Sequence, residues 1–117
     1  MFLQIRMEQM EQLKIQEKKG ANYNLLELFG VLDSYNFTEL QQKAFALVKE
    51  NNLVLDLSNL TSMDSSGLSA ILGSSTLGLE FGKMLYIMNP SSEARRALES
   101  TGFMDMFNII FSVTEVV

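Results

Sequence analysis

Residues 53–68, LVLDLSNLTSMDSSGL, decide the fold of this chain. Their first part, 53–57, is a short and nearly continuous apolar run of the kind found in a buried, often parallel, strand. One short loop later, Asp64 stands immediately before a run with helical apolar spacing, where a carboxylate is a favoured N-cap. A buried strand that leads through a short loop into a capped helix predicts an α/β domain.

The rest of the chain alternates between the strand period and the helix period. Residues 13–17 and 23–29 are predicted to form an antiparallel hairpin. The further predicted elements are a strand over 83–88, helices over 37–50, 65–82 and 91–100, and, within 103–117, one short helical turn and a terminal strand or helix. This order predicts a mixed β-sheet with a parallel core and about four helices packed on it through right-handed crossovers.

The predicted helices carry signals at their starts and on their faces. Asn36, with Glu39 three positions on, predicts an N-cap for the helix over 37–50. Ser91 or Ser92 is expected to cap the helix over 91–100. In the helix over 65–82, a helical spacing predicts one face seated on the sheet, formed by Leu68, Ile71, Leu72 and Leu79.

The composition excludes several classes of function. The 117 residues carry a net charge of −5 and include neither histidine nor cysteine. Without histidine, no Ser-His-Asp triad and no histidine-bound zinc can form within this chain, and without cysteine no thiol catalysis or disulfide can. The negative charge gives no electrostatic reason to expect nucleic acid or an anionic membrane as a partner. A protein or a small molecule is the expected partner.

The sequence predicts one domain over 13–117, preceded by an extension over 1–12 for which no structure is predicted. No apolar run approaches the roughly 18 residues that a membrane span needs. Residues 1–12 also lack the uninterrupted apolar core of a signal peptide, so we expect a cytoplasmic protein. No cofactor or metal motif is present, which predicts a binding role rather than an enzyme.

The two hydroxyls that follow Asp64 have several interpretations. As a nucleophile, Ser65 would need a base, and the only candidates are lysines and carboxylates. A phosphate-binding loop needs GxxxxGK followed by Ser or Thr, and the nearest stretch, 78–84, is one residue short and ends in methionine. At a helix start, Ser65 and Ser66 lie in the first turn, where an anion is favoured. A serine there can carry a phosphate without disturbing the fold.

Three stretches of the chain carry a resemblance to a known family. Residues 54–73, VLDLSNLTSMDSSGLSAILG, resemble the signature of the STAS family, and most of all of its anti-sigma-factor antagonists. Residues 30–33, GVLD, are similar to the family's glycine, acid, apolar, aspartate pattern, although Val31 stands where relatives commonly carry glutamate. Residues 98–107, LESTGFMDMF, resemble its closing pattern. From about Leu13 onwards, the resemblance implies a STAS-like single domain.

The resemblance also implies a phosphorylation switch at Ser65. Ser65 matches the serine that a partner kinase phosphorylates, Asp64 matches the acid before it, and Asp33 matches a loop aspartate on the same surface. The unphosphorylated form would bind an anti-sigma factor that is itself a nucleotide-binding serine kinase. Phosphorylation would release that partner, and a serine phosphatase would reset the switch. The alternative is a non-switching STAS module, a subunit of a transporter or signalling assembly; a homodimer is left open.

A stripe of small residues follows Ser65 on the predicted helix; its members are Ser66, Ala70, Gly73, Ser74 and Leu77. It is either a packing surface for a neighbouring helix or a smooth docking surface for a partner. On the docking interpretation, the partner-binding residues are Asp33, Asp64, Ser66, Gly67, Ala70 and Ser74. Arg95 and Arg96 are expected on a solvated helix face, or, if they lie near Ser65, as groups that hold its phosphate. Asp56 is expected beside Ser58, where its carboxylate bonds loop N–H groups.

Overall fold

The computed structural model describes residues 12–117. The predicted N-terminal extension over 1–12 therefore lies, except for Gln12, outside the described residues. Within 12–117 the elements are β1 (Lys14–Lys19), β2 (Tyr23–Leu32), α1 (Phe37–Glu50), β3 (Asn52–Met63), α2 (Ser65–Glu80), β4 (Leu85–Met88), α3 (Ser92–Glu99) and β5 (Asn108–Ile110). None of these helices is long and apolar enough to cross a membrane.

The strands form one five-stranded sheet in the order β1-β2-β3-β4-β5. β1 runs antiparallel to β2, whereas β2, β3, β4 and β5 are parallel to their neighbours. The predicted mixed sheet with a parallel core is confirmed. β3 continues to Met63, six residues beyond the predicted strand end at Leu57, while β4 pairs with β3 only as far as Asp56. The last part of β3 therefore extends past β4 along β2.

The helix count differs from the expected four. Residues 12–117 contain three α-helices, and the C-terminal part holds two 3-10 turns, Met104–Met106 and Val113–Glu115, on either side of β5. The short apolar run at 108–110 adds a strand beside β4, where backbone hydrogen-bonding groups are available. Segments as short as those left on either side form single turns rather than a fourth helix.

Strand alternation divides the apolar side chains between the two faces of the sheet. One face carries the main core, to which all three helices contribute buried residues, among them Leu40, Ala44, Leu47, Val48, Ala70, Ile71, Ala94 and Leu98. The opposite face carries a smaller cluster formed by Leu25, Val54, Tyr86, Ile110 and Val116. The chain end is fixed there, because Asn22 Nδ2 donates to the Val116 carbonyl at 3.1 Å. The helices thus share one face, and the C-terminal turn covers part of the other.

The start of α1 is where it was predicted, but the predicted cap is wrong. Asn36 makes no side-chain cap to the helix. Its Oδ1 instead accepts the Asp33 N–H at 2.9 Å, and its Nδ2 donates to the Val31 carbonyl at 2.9 Å. Because the amide is bonded back to the preceding loop, it cannot bond the first turn of α1. At α3, Ser91 is the cap, since its Oγ accepts the Ala94 N–H at 3.1 Å.

The end of α2 differs from the prediction in length and orientation. The helix ends at Glu80, and Gly82 follows with φ +70°, a conformation that glycine adopts at low cost. Ile71 is buried as expected, but Leu79 is 63% exposed. Gly78 occupies the inward position instead, where a Cβ would lie 2.6 Å from Val48 Cγ2. The expectation that Leu79 seats on the sheet is therefore wrong, because the neighbouring position faces inward.

Candidate functional site

Ser65 is the first residue of α2 and is exposed. The preceding Asp64 caps the helix: its Oδ1 accepts the Ser66 N–H at 2.9 Å and the Gly67 N–H at 3.3 Å. The Asp64 backbone N–H donates in turn to the Leu32 carbonyl at 3.2 Å. The predicted cap is confirmed, and these bonds hold the backbone on both sides of Ser65 at the surface.

The loop that connects β2 to α1 lies beside the start of α2 and is tied by its own side chains. Gly30 has φ +90° at a register shift in the β2–β3 pairing, a conformation open to glycine. Asp33 Oδ1 accepts the Tyr35 N–H at 2.9 Å, and the Asp33 carbonyl accepts the Phe37 N–H at 2.9 Å. Tyr35 is 94% exposed. The loop therefore presents an aromatic side chain on a fixed backbone.

A cleft of about 650 Å³ runs along this loop. Its lining combines two carboxylates, an aromatic ring and apolar groups, from Gln12, Leu13, Val31, Asp33, Tyr35, Asn36 and Glu39. Together with Asp64, these residues make this side of the Ser65 region acidic. We call this feature the acidic cleft.

On the side away from the β2–α1 loop, the element beside the end of β3 is α3. The Ser91 N–H donates to the Leu57 carbonyl at 3.1 Å, so α3 begins beside the part of β3 that extends past β4. A smaller cleft of about 290 Å³ follows, lined by Ser62, Met63, Glu93, Arg96, Ala97 and Ser100. We call it the arginine cleft. Arg96, unlike Arg95, thus faces a strand end that lies two residues before Ser65.

Glu93 has the one carboxyl of residues 12–117 whose pKa is clearly shifted. A hydrogen bond from its own backbone N–H lowers this pKa first, the Ser92 hydroxyl second, and the charge of Arg96 adds a smaller effect in the same direction. The Ser92 Oγ donates to Glu93 Oε2 at 3.0 Å. Glu93 is fully exposed, so its attraction for Arg96 is screened by water.

The structure separates the predicted partner-binding residues into two groups. Asp33, Asp64 and Ser66 are at least partly exposed beside Ser65. Gly67, Ala70 and Ser74 are buried, so these three positions present little surface to a partner. Ala70 is 2% exposed, and Ser74 is fully buried, with its Oγ donating to the Ala70 carbonyl at 2.7 Å.

The stripe of small residues on α2 faces inward. A Cβ on Gly67 would contact Leu32 and Met63, and one on Gly73 would lie 3.4 Å from Cζ of Phe45 on α1. The stripe therefore lets α2 approach α1 and the underlying strands closely. Of its two interpretations, helix packing is the one that the contacts support.

Two further expectations can be compared with the contacts. Asp56 Oδ1 accepts the Ser58 N–H at 3.0 Å and the Ser58 Oγ–H at 2.7 Å, as predicted. Within residues 12–117, no three acidic side chains lie together as metal ligands. The sequence-based prediction missed Tyr35 and Glu39, although an aromatic residue in the polar stretch DSYN was the available signal for Tyr35.

Known proteins with similar sequences match most of this chain. Anti-sigma-B factor antagonists of Staphylococcus aureus and Staphylococcus epidermidis are 26% and 29% identical to it over 99 residues. Those alignments cover 83% of this chain and 92% of each antagonist.

Solved structures share the fold at lower identity. The anti-sigma factor antagonist SpoIIAA in its unphosphorylated form superposes with a TM-score of 0.73 at 20% identity, covering 87% of this chain and 91% of SpoIIAA. An antagonist from Mycobacterium paratuberculosis gives 0.77 at 20% identity, covering 90% and 91%. The murine anion transporter Slc26a9 gives 0.74 at 13% identity, covering 97% of this chain but 23% of the transporter. At 13–20% identity, these superpositions show that the proteins share a fold and do not show a shared function. Because the profile of the STAS domain matches residues 12–116, the chain belongs to the STAS domain family.

Proposed function

We propose that this chain is a regulatory binding protein of the anti-sigma-factor antagonist type, switched by phosphorylation of Ser65. With Ser65 unmodified it binds an anti-sigma factor that is also a serine kinase; phosphorylation releases that partner, and a serine phosphatase restores the binding form. On this proposal it acts in the cytoplasm and catalyses no reaction itself. The observation that carries the proposal is an exposed serine directly after the capping aspartate of α2.

The capped helix start suits a kinase substrate. A kinase must hold one hydroxyl oxygen in line with the bond that breaks between the γ-phosphorus and the ADP oxygen, with its catalytic base beside the hydroxyl proton. Ser65 offers that hydroxyl on a backbone that Asp64 and Leu32 already hold. Little further ordering is required when the partner binds, which favours both recognition and transfer.

The fold tolerates the phosphate, since the local electrostatic effects nearly cancel. Phosphorylation adds about −1.5 to −2 charges. The helix dipole favours an anion at its N-terminus by about 0.3–1 kcal/mol, while the adjacent Asp64 carboxylate repels it through water by a similar amount. We therefore expect phosphorylation to leave the stability of the domain almost unchanged.

The effect of the phosphate falls on binding instead. A partner seated over Ser65 also faces the carboxylates of Asp33, Asp64 and Glu39, so the new charge enters a region that is already acidic. Burying an anion that the partner does not match with a cation costs several kcal/mol. Each 1.4 kcal/mol lowers affinity about tenfold, so we expect binding to fall by about two orders of magnitude or more.

A non-switching STAS module is the second candidate, because the fold also occurs inside an anion transporter. It is the weaker one, since the fold is 23% of that transporter whereas the antagonists match over about nine-tenths of their own length. Phosphorylation in the native cell separates the two candidates.

The first experiment is phosphopeptide mass spectrometry on the protein isolated from its own cells, growing and then starved. We expect a phosphate on Ser65 whose occupancy differs between the two conditions. Ser65→Ala should abolish it and leave the protein bound to its kinase, while Ser69→Ala, at an exposed serine one turn further along α2, is the matched control and should retain both the phosphate and its release. An unmodified Ser65 in both conditions, with the protein held in a constant assembly, would favour the non-switching module.

A further inference from the structure

Arg96 is the cation that the fold brings to the end of β3. It lines the arginine cleft together with Ser62 and Met63, the last residues of β3. Only Asp64 separates Met63 from Ser65, and consecutive Cα atoms are about 3.8 Å apart. Ser65 is therefore two positions along the chain from Met63, which lines the arginine cleft together with Arg96. The arginine side chain has four rotatable bonds, so its guanidinium can turn from the cleft towards the start of α2.

Arg96 is also available for a new partner. Among residues 12–117, the ion pair within 4.0 Å joins Lys18 and Glu27, so Arg96 has no carboxylate at contact distance there. Glu93, three residues earlier on the same helix, is an exposed carboxylate whose pKa the charge of Arg96 lowers. Pairs of that kind are weak in water. A phosphate with nearly two charges and three acceptor oxygens is a stronger partner for a guanidinium than a single carboxylate.

The two sides of Ser65 are therefore unequal. Asp33 and Glu39 line the acidic cleft on the side of the β2–α1 loop. Arg96 lines the opposite side beside α3, together with the exposed carboxylate of Glu93, so that side carries no excess of negative charge. A doubly charged group on Ser65 is repelled from the first side and attracted to the second.

We propose that Arg96 binds the phosphate of phosphorylated Ser65 within the same chain and draws it into the arginine cleft. The inference rests on the proposed modification of Ser65. It adds that the phosphorylated form has its own internal contact, and that Arg96 makes it. The class of ligand is a phosphate monoester presented by α2, and Arg96 acts by binding it with charge-assisted hydrogen bonds.

The test uses full-length protein with phosphoserine incorporated during translation at position 65, so it does not depend on a kinase. The titration of the phosphate is followed by ³¹P NMR in otherwise wild-type protein, in Arg96→Gln and in Arg96→Lys. Arg95→Gln is the matched control, because it removes the same charge from the neighbouring position of α3, outside the arginine cleft. Asp64, Glu93, Asp33 and Glu39 are present in every sample, so their effects on the titration cancel.

A nearby cation favours the dianionic phosphate, so we expect Arg96→Gln to raise the titration midpoint by about 0.5 pH unit. Arg96→Lys should restore part of the difference, since lysine keeps the charge but loses the planar fork. Arg95→Gln should leave the midpoint unchanged. The Arg96 side-chain N–H resonance should also shift between the unmodified and the phosphorylated protein.

An equal midpoint in Arg96→Gln and Arg95→Gln, with no shift of the Arg96 resonance, would overturn the inference. Thermal unfolding of each variant establishes that it is folded, and the lysine variant serves if the glutamine variant is not. This outcome is independent of the phosphopeptide measurement in cells. If the NMR titration shows the Arg96 contact but Ser65 is never phosphorylated in the native cell, the proposed function is wrong and the contact still stands.

Discussion

Replacing Gly67 with alanine tests whether the start of α2 depends on a close approach to β2 and β3. A Cβ on Gly67 would lie 2.8 Å from both Cγ and Cδ2 of Leu32, and 2.9 Å from Cγ of Met63. Carbon atoms at their optimal separation are about 3.5–4.0 Å apart, so these groups must move. Leu32 is fully buried, which leaves it no path into solvent.

The expected loss of stability follows from two opposing effects. Overpacking of this kind costs about 1–3 kcal/mol, and the gain in helix propensity from glycine to alanine is at most about 1 kcal/mol. We expect a net loss of about 1–2 kcal/mol, which at about 4–8 °C per kcal/mol lowers the melting temperature by about 4–16 °C. Because the Leu32 carbonyl also accepts the Asp64 N–H, the same movement should displace Ser65 and weaken partner binding.

Gly73→Ala is the matched control in the same helix. A Cβ there would lie 3.4 Å from Cζ and 3.6 Å from Cε1 of Phe45, which is ordinary contact. We expect this variant to be more stable than wild type by up to about 1 kcal/mol. Urea denaturation of the three proteins measures both changes. If Gly67→Ala proves as stable as Gly73→Ala, the close approach does not restrain α2, and the reasoning is refuted.

Substitutions at three other positions test the surroundings of Ser65. Asp64→Ala removes the cap of α2 and should cost about 1 kcal/mol in urea denaturation, whereas Asp64→Asn should retain most of that stability. Asn36→Ala removes the bond to the Val31 carbonyl and should cost about 1–2 kcal/mol; an unchanged denaturation midpoint would mean that the loop is held by other contacts. Folding lowers the pKa of Glu93 from its ordinary value of 4.5. The ionised carboxylate therefore stabilises the folded state above that pH, and this stabilisation is lost as the pH falls through the pKa of the folded state. Glu93→Gln should therefore lose less stability on acidification than wild type, and equal losses in thermal unfolding at neutral and acidic pH would contradict this.

The features that the sequence predicted well are local ones. The cap at Asp64 and the apolar run before it are each specified by a few neighbouring residues, and the structure confirms both. The end of β3 was not predictable in this way, because its last part pairs with β2 while Ser58, Asn59 and Thr61 remain exposed. In the sequence, polar residues on a solvent-exposed strand have the same composition as those of a loop.

The errors at Asn36 and on α2 have a different origin. An asparagine before a helix can bond forward to the first turn or backward to the loop, and only the folded loop selects the second. Small residues such as Ala70 suit both a docking surface and close helix packing, and burial alone distinguishes them. The arginine cleft joins residues about thirty positions apart, so no short pattern could predict it.

The agreement between strand order and chain order has a consequence for how the molecule is made. Each strand joins the sheet beside the strand synthesised just before it, so no pairing has to wait for a strand that is made two or more elements later. This order allows assembly to follow translation from the N-terminal side. The segment up to α2, with the acidic cleft and Ser65, leaves the ribosome before α3 does. The surface proposed to be phosphorylated is thus made before the residue proposed to bind its phosphate.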